Sequence, residues 1–220
     1  KESSVSIAPN GEVFPLPKSE DYAKEFKRLQ KLAAAHRKEG REIVVVMGLG
    51  FVGAVMAGIV ADAEAKPPAT IHQSLSTKVP SPITPGPSPK YPKFVIGVQR
   101  PSTRSYWKIP LLNRGIAPVE AEDPEVAPLI ARCVNKKKTL TATFTEDALT
   151  LADCVVVDVQ CDYFKETLGN CRQGHAEIAA LEDSLKVIGD KIRPDCLVLI
   201  ETTVPPGTTE YIAYPIIKKA

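Results

Sequence analysis

Three groups of residues in this chain have the types and spacing to do chemistry. The first is Gly48-Leu-Gly-Phe-Val-Gly53, set between an apolar run at 42–47 and an Ala-rich segment. Glycines at the first, third and sixth places suit a tight turn, close approach by an anionic group, and close packing of helix on strand. Amides freed at a helix start, together with the helix dipole, attract phosphate. The same six residues also occur in ordinary strand–helix turns; the β-branched run before them and the helix after them supply the context of a phosphate loop.

The second group is Glu201-Thr-Thr-Val-Pro-Pro-Gly-Thr-Thr209, which follows the apolar run 196–200. It ends a buried strand in hydroxyls, a carboxylate and a rigid turn, at the sheet edge where ligands of doubly wound folds bind. The third is Gln99 with Arg100 and Arg104, after the run 94–98. An acid is the usual residue there, about 20 positions beyond the glycines, because it binds ribose hydroxyls. Gln99 also hydrogen-bonds a ribose, though less strongly than a carboxylate. A neutral side chain beside two arginines equally suits a 2′-phosphate, and solvated surface arginines are the third reading.

The remaining candidates are single residues. Asp158, inside a Val run, needs partners if buried, and faces either the cleft or a structural network. Cys161 sits at a predicted strand end in the cleft, but no positive neighbour in the sequence lowers its pKa, so a structural thiol is expected. The five cysteines (133, 154, 161, 171 and 196) contain no CxxC pair, which argues against a disulfide framework and against zinc. Cys154 and Cys196 border apolar runs and are expected to be buried thiols. His36, His72 and His175 have no ligand spacing and read as surface or capping residues.

The elements that must position these groups alternate. Residues 1–19 are polar and expected to lie on the surface or move. A helix is predicted over 20–38, with Tyr22, Phe26, Leu29, Leu32 and Ala33 at helical spacing and Gly40 as its stop. Strands are predicted at 42–47, 94–98, 139–144, 154–159 and 196–200. Helices are predicted at 53–65, 122–135, 145–152 (Thr145 its cap) and 174–192, with 105–118 irregular. Residues 64–92 hold eight of the 20 prolines and read as a low-complexity insertion. Strands alternating with helices imply an α/β fold: a doubly wound, mostly parallel, Rossmann-like sheet over 41–220, preceded by a helical extension at 1–40.

Composition excludes more than it selects. The 220 residues are 44% hydrophobic and 25% charged with a net charge of +2, which is ordinary for a globular domain. No basic run is interleaved with aromatics, so no nucleic-acid partner is expected, and Lys136-Lys137-Lys138 reads as a solvated turn. No apolar stretch spans a bilayer and no signal peptide is seen, so a cytoplasmic protein without a membrane partner is expected. The absent initiator Met and the break inside a predicted helix point to a piece of a longer chain.

GLGFVG and ETTVPPGTT, in this order and spacing, resemble the UDP-glucose/GDP-mannose dehydrogenase family over roughly 42–220. The Glu201-Thr202 pair is similar to the form in UDP-N-acetylmannosamine dehydrogenases. The resemblance implies oxidation of a sugar C6 hydroxyl to a carboxylate, in two hydride transfers to NAD through a thiohemiacetal on a cysteine. It implies a nucleotide-sugar substrate and a homo-oligomer. Gly48, Gly50, Phe51, Val52 and Gly53 match its phosphate loop; Gln99 stands in place of the ribose acid; Arg104 matches a following basic residue, with Arg100 beside it. Val159, Gln160 and Cys161 match a Val-x-Thr strand end near the nicotinamide, while Glu201 (as catalytic-site member) and Thr202 match the turn near cofactor and substrate. NADP stays open because of Gln99. The family's Gly-Gly-x-Cys motif and sugar-nucleotide domain are not in this stretch, so the chain is expected to bind dinucleotide without turning over sugar nucleotide alone. Two further readings are a non-catalytic dinucleotide-binding or sensing module and a β-hydroxyacid-type dehydrogenase fragment.

Overall fold

The computed structural model describes residues 4–65, 90–165, 167, 169 and 173–220. Most of the Pro-rich segment, with His72, and also Cys171 lie outside the described residues. A hairpin of β1 (Val5–Ile7) and β2 (Val13–Pro15) leads into the long helix α1 (Ser19–Lys38). There follow β3 (Glu42–Met47), α2 (Phe51–Asp62), β4 (Lys93–Val98), α3 (Lys108–Asn113), α4 (Val126–Ala131), β5 (Leu140–Thr143) and β6 (Cys154–Val157). A second hairpin, β7 (Asp162–Phe164) with β8 (His175–Glu177), precedes α5 (Ala179–Lys191), β9 (Leu197–Ile200) and α6 (Tyr214–Lys219).

The main sheet is parallel throughout, in the order β5-β4-β3-β6-β9. Both faces of its central strands are buried, which is why β3 and β6 read as unbroken apolar runs rather than alternating ones. Ile43, Val45 and Met47 pack with Leu29 and Ala33 of α1 and with Leu181, Leu185 and Ile188 of α5. Val44 and Val46 face Ala57, Leu112 and Ile130 from α2, α3 and α4. The winding direction reverses between β3 and β6, so the loops after these two strands diverge and leave a crevice.

The expected fold class is the observed one, and several boundaries differ. Residues 4–19 are neither a loose end nor wholly superficial: Ser6 and Ala8 are buried, and Ser6 Oγ accepts the Trp107 N–H at 3.2 Å. Short hairpins are held by backbone bonds and leave little apolar period to read. The segment expected to be irregular contains α3, with Pro110 in the first turn, where an amide is not needed. α4 starts at Val126 rather than 122 and continues as a wide turn, Arg132–Lys137. α2 starts and ends earlier than predicted, and α5 starts later because His175–Glu177 pairs with β7. β6 stops at Val157, so Asp158 lies just past a strand end rather than inside one.

Four side chains also depart from expectation. His36 is buried and stacks on Phe94 with ring centroids 3.8 Å apart; burial and then the Arg41 charge lower its pKa. Lys137 is ion-paired with Asp62 at 2.8 Å rather than solvated. Cys154 and Cys196 are half-buried, whereas Cys133, among the described residues, is the fully buried thiol.

α1 is tied to the edge strand by more than its apolar stripe. Glu25 accepts the Thr143 hydroxyl at 2.7 Å, Arg28 donates to Thr141 Oγ1 at 3.2 Å, and Tyr22 meets Phe144 edge-on. The Asp21 carboxylate accepts the Lys18 N–H at 2.9 Å and so fixes the helix start.

Candidate functional site

The turn leaving β3 is built around what its glycines must avoid. Gly48 has φ +96°, a conformation other residues rarely adopt, and a Cβ there would overlap the Asp158 carbonyl oxygen. A Cβ on Gly53 would overlap the Gly48 carbonyl oxygen and press on the Asp158 Cβ at 3.1 Å. Gly50 is different: a Cβ there would meet no atom within 4 Å. Two glycines are therefore required by the protein's own packing, and the third leaves open space in front of the chain. Leu49, between them, is fully buried over Gly97 of β4, whose missing side chain makes room for it.

Two clefts open at this turn. One, of about 390 Å³, is lined by Gly48, Gly50, Gln99, Arg100, Ser105, Lys108, Asp158, Val159 and Gln160, among others. The other, of about 560 Å³, is lined by Gly50, Phe51, Val52, Gly53, Cys161, Glu201, Thr202 and Thr203 and shares Asp158, Val159 and Gln160 with the first. Every residue assigned to the site through the family resemblance thus borders one or both clefts, apart from Arg104. That residue is exposed, and its backbone carbonyl accepts the Trp107 indole N–H at 2.8 Å.

The side chains are not all free to take a ligand. Gln99 Oε1 accepts the Leu49 N–H at 3.0 Å, which leaves its amide group, 3.4 Å from Ser105 Oγ, as the donor side. Arg100 Nε is paired with Glu146 at 2.6 Å. Thr202 Oγ1 lies 2.7 Å from the Val159 carbonyl and 3.2 Å from that of Val157, so its proton joins the ends of β6 and β9. Gln160 donates to both Asp162 carboxylate oxygens, at 2.9 and 2.7 Å. Glu201 is exposed, and among the described residues no cation lines its cleft.

Asp158 resolves against the satisfied network: its Oδ2 is buried with no hydrogen-bond partner, between the two clefts. Burial, and then the Glu201 charge, hold it above the ordinary carboxylate range. Lys108 was not legible as a site residue. It comes from α3, within the stretch expected to be irregular, and donates from Nζ to the Leu49 carbonyl at 2.9 Å, while burial lowers its pKa.

These residues fit a dinucleotide. α2 begins at the open glycine with no acid in its first turn, so its leading amides and dipole favour an anion in the space before Gly50.

Residues 92–220, more than half the chain, match the model of the "UDP-glucose/GDP-mannose dehydrogenase family, NAD binding domain". The chain belongs to this family. The glycine loop lies ahead of the matched segment, and β3–β4 pairing brings the two together. A nicotinamide dinucleotide is the cofactor class of this domain. Among solved structures, the NDP-N-acetyl-D-galactosaminuronic acid dehydrogenase from Methanosarcina mazei Go1 is 28% identical, with TM-score 0.62 over 87% of this chain and 33% of its own. A GDP-mannose dehydrogenase from Pseudomonas aeruginosa is 23% identical (TM-score 0.55, 80% of this chain and 32% of its own) and shares the fold. So does the UDP-N-acetyl-mannosamine dehydrogenase Cap5O from Staphylococcus aureus, 16% identical (TM-score 0.55, 81% and 33%). The chain spans about a third of the length of these proteins. Comparison with curated proteins gave no match. Among the described residues, no helix is long and apolar enough to cross a membrane.

Proposed function

We propose that this chain is the dinucleotide-binding part of a nucleotide-sugar 6-dehydrogenase, with residues 41–220 as that unit and 1–40 as a brace on its sheet. The substrate is a UDP- or GDP-sugar whose C6 hydroxyl is oxidised to the carboxylate in two hydride transfers, the sugar being held by a further region that carries the catalytic cysteine. The observation that supports this most is that the Glu201–Thr202 turn and the glycine loop border one cleft, with Gly50 opening into it and into its neighbour.

When bound, the nicotinamide supplies the hydride acceptor. The chain's own residues bind and orient. Amides of Phe51, Val52 and Gly53 hold the pyrophosphate in the space that Gly50 leaves. Gln99 and its neighbours Arg100 and Arg104 serve the adenosine ribose end, where NAD is the family's form. Val159, Gln160 and Cys161 wall the nicotinamide end, and Thr202 fixes the distance between the two strand ends. Glu201 takes up a proton at its carboxylate oxygen from water or substrate in the second cleft. The complete enzyme is a cytoplasmic homo-oligomer that supplies sugar acids for polysaccharide assembly.

Calorimetric titration of the chain with dinucleotide, repeated on Gly50→Val, tests this. Saturable binding that disappears in a folded Gly50→Val supports the reading. Equal binding by the variant removes the phosphate loop from it.

A further inference from the structure

The end of β4 carries more positive and donor groups than a ribose diol needs. In a sheet wound this way, the residue ending the strand next to the glycine-loop strand meets the adenosine ribose. That residue is Gln99, and its orientation is set. The Leu49 N–H occupies its carbonyl oxygen, so the group it offers the cleft is an amide donor rather than an acceptor for hydroxyls.

Lys108 reaches the same residue from the other side and gives one of its three protons to the Leu49 carbonyl. The two side chains therefore clasp the two peptide groups that flank Leu49 in the glycine loop, and both line the first cleft. Among the described residues, no carboxylate forms an ion pair with Lys108, whose only other charge-related contact is the Trp107 ring, 5.9 Å from Nζ. Arg100 is bound to Glu146 through Nε, which leaves the two terminal nitrogens of its guanidinium outside that bond. Ser105 also lines the cleft, its hydroxyl 2.7 Å from that of Ser102. The acids that border the cleft system, Asp158 and Glu201, belong to the β6 and β9 ends, and Glu146 is occupied by Arg100.

A half-buried ammonium without a counter-charge is a cost that a bound anion removes. A ribose diol, being neutral, does not remove it. A carboxylate in place of Gln99 would bind the diol and repel a phosphate; an amide donor beside an ammonium attracts the phosphate and binds the diol less strongly than a carboxylate does.

We propose that the end of β4 is a subsite for a phosphate on the 2′ oxygen of the adenosine ribose, with Lys108 and Gln99 as its main donors, so that this chain takes NADP in preference to NAD. This rests on the reading that the cleft holds a dinucleotide. It deepens that reading by replacing the cofactor form that the family resemblance implies.

The test is calorimetric titration of the whole chain with NADP, NAD, adenosine 2′,5′-bisphosphate and 5′-AMP. It is repeated on Lys108→Met and Gln99→Asp, with circular dichroism to verify folding. The expected result is NADP tighter than NAD by about tenfold or more, which is the range of one charge-assisted phosphate contact. The bisphosphate should exceed 5′-AMP by a similar factor. Lys108→Met should bring the NADP-to-NAD ratio toward one. Gln99→Asp, which keeps an acceptor for the Leu49 N–H, should invert it. Binding of both dinucleotides with NAD equal or tighter overturns the 2′-phosphate subsite and leaves the dinucleotide cleft standing. Failure of all four ligands to bind a folded chain overturns both.

Discussion

The turn after β3 and the turns after β6 and β9 face each other across the same space, and they are held by opposite means. The β3 turn is shaped by clearance: Gly48 and Gly53 fit because a carbonyl and a Cβ occupy the places where their side chains would be. Its polar groups are paired, with Leu49 N–H on Gln99 and Leu49 carbonyl on Lys108. The β6–β9 side is shaped by side chains. Thr202 joins the strand ends, Gln160 holds Asp162, and Asp158 keeps a buried oxygen without a partner beside exposed Glu201. The glycine side should answer to volume, and the other side to hydrogen bonding and charge.

The largest effect is expected at Gly53. Gly53→Ala places a methyl on a backbone carbonyl that cannot yield without moving the strand–helix turn, and should cost about 3 kcal/mol or more in urea unfolding. A variant as stable as wild type would show that the turn adjusts freely and would end the argument from clearance. Next comes Thr202→Val, which preserves volume but removes the proton shared by the Val157 and Val159 carbonyls. A loss of about 1–2 kcal/mol is expected, measured the same way.

Asp158→Asn tests charge alone. Burial and Glu201 raise the folded Asp158 above its ordinary value of 3.8, so the unfolded chain gives up this proton first. Stability therefore falls as pH rises from 3.8 to the raised folded value, and the penalty is complete above it. Asn carries no such penalty. The variant should melt at a higher temperature than wild type at pH 7, and the gap should close as pH falls below 3.8. A pH-independent gap would trace the effect to packing instead. The smallest change belongs to Gly50→Val, which should stay within about 0.5 kcal/mol of wild type because nothing stands near the new side chain. Its loss of dinucleotide binding without loss of stability would separate the ligand's glycine from the two that serve the fold.

Much of the sheet was legible because each central strand is an apolar run bounded by polar or small residues. The prediction over 42–47 agrees with β3 to the residue. What escaped lacks such a signal. β1–β2 and β7–β8 are three-residue pairs held by backbone bonds, and α3 carries a proline that its first turn tolerates. His36 was read as a surface residue because its own helix says nothing of Phe94, which arrives from β4. The residues assigned to the site through the family resemblance border the two clefts, Arg104 excepted, because the ends of neighbouring parallel strands converge on one edge. Arg104 was assigned from the family resemblance, and in the fold it is exposed, its carbonyl accepting the Trp107 indole N–H. The basic residue from α3 that lines the first cleft is Lys108.

The amino-acid order alone determined the alternation of strand and helix and the place of the glycine turn between β3 and α2, because these depend on contacts within a few residues. It also carried the family resemblance, in the turn that begins at Glu201. Only the tertiary structure decided which side of Gln99 faces the cleft, that Lys108 joins it, and that Asp158 is buried without a partner. The Gln99 and Lys108 bonds to Leu49 span 50 and 59 positions, and strand pairing brings their partners together. Local sequence preference carries no information about which atoms those partners leave unpaired.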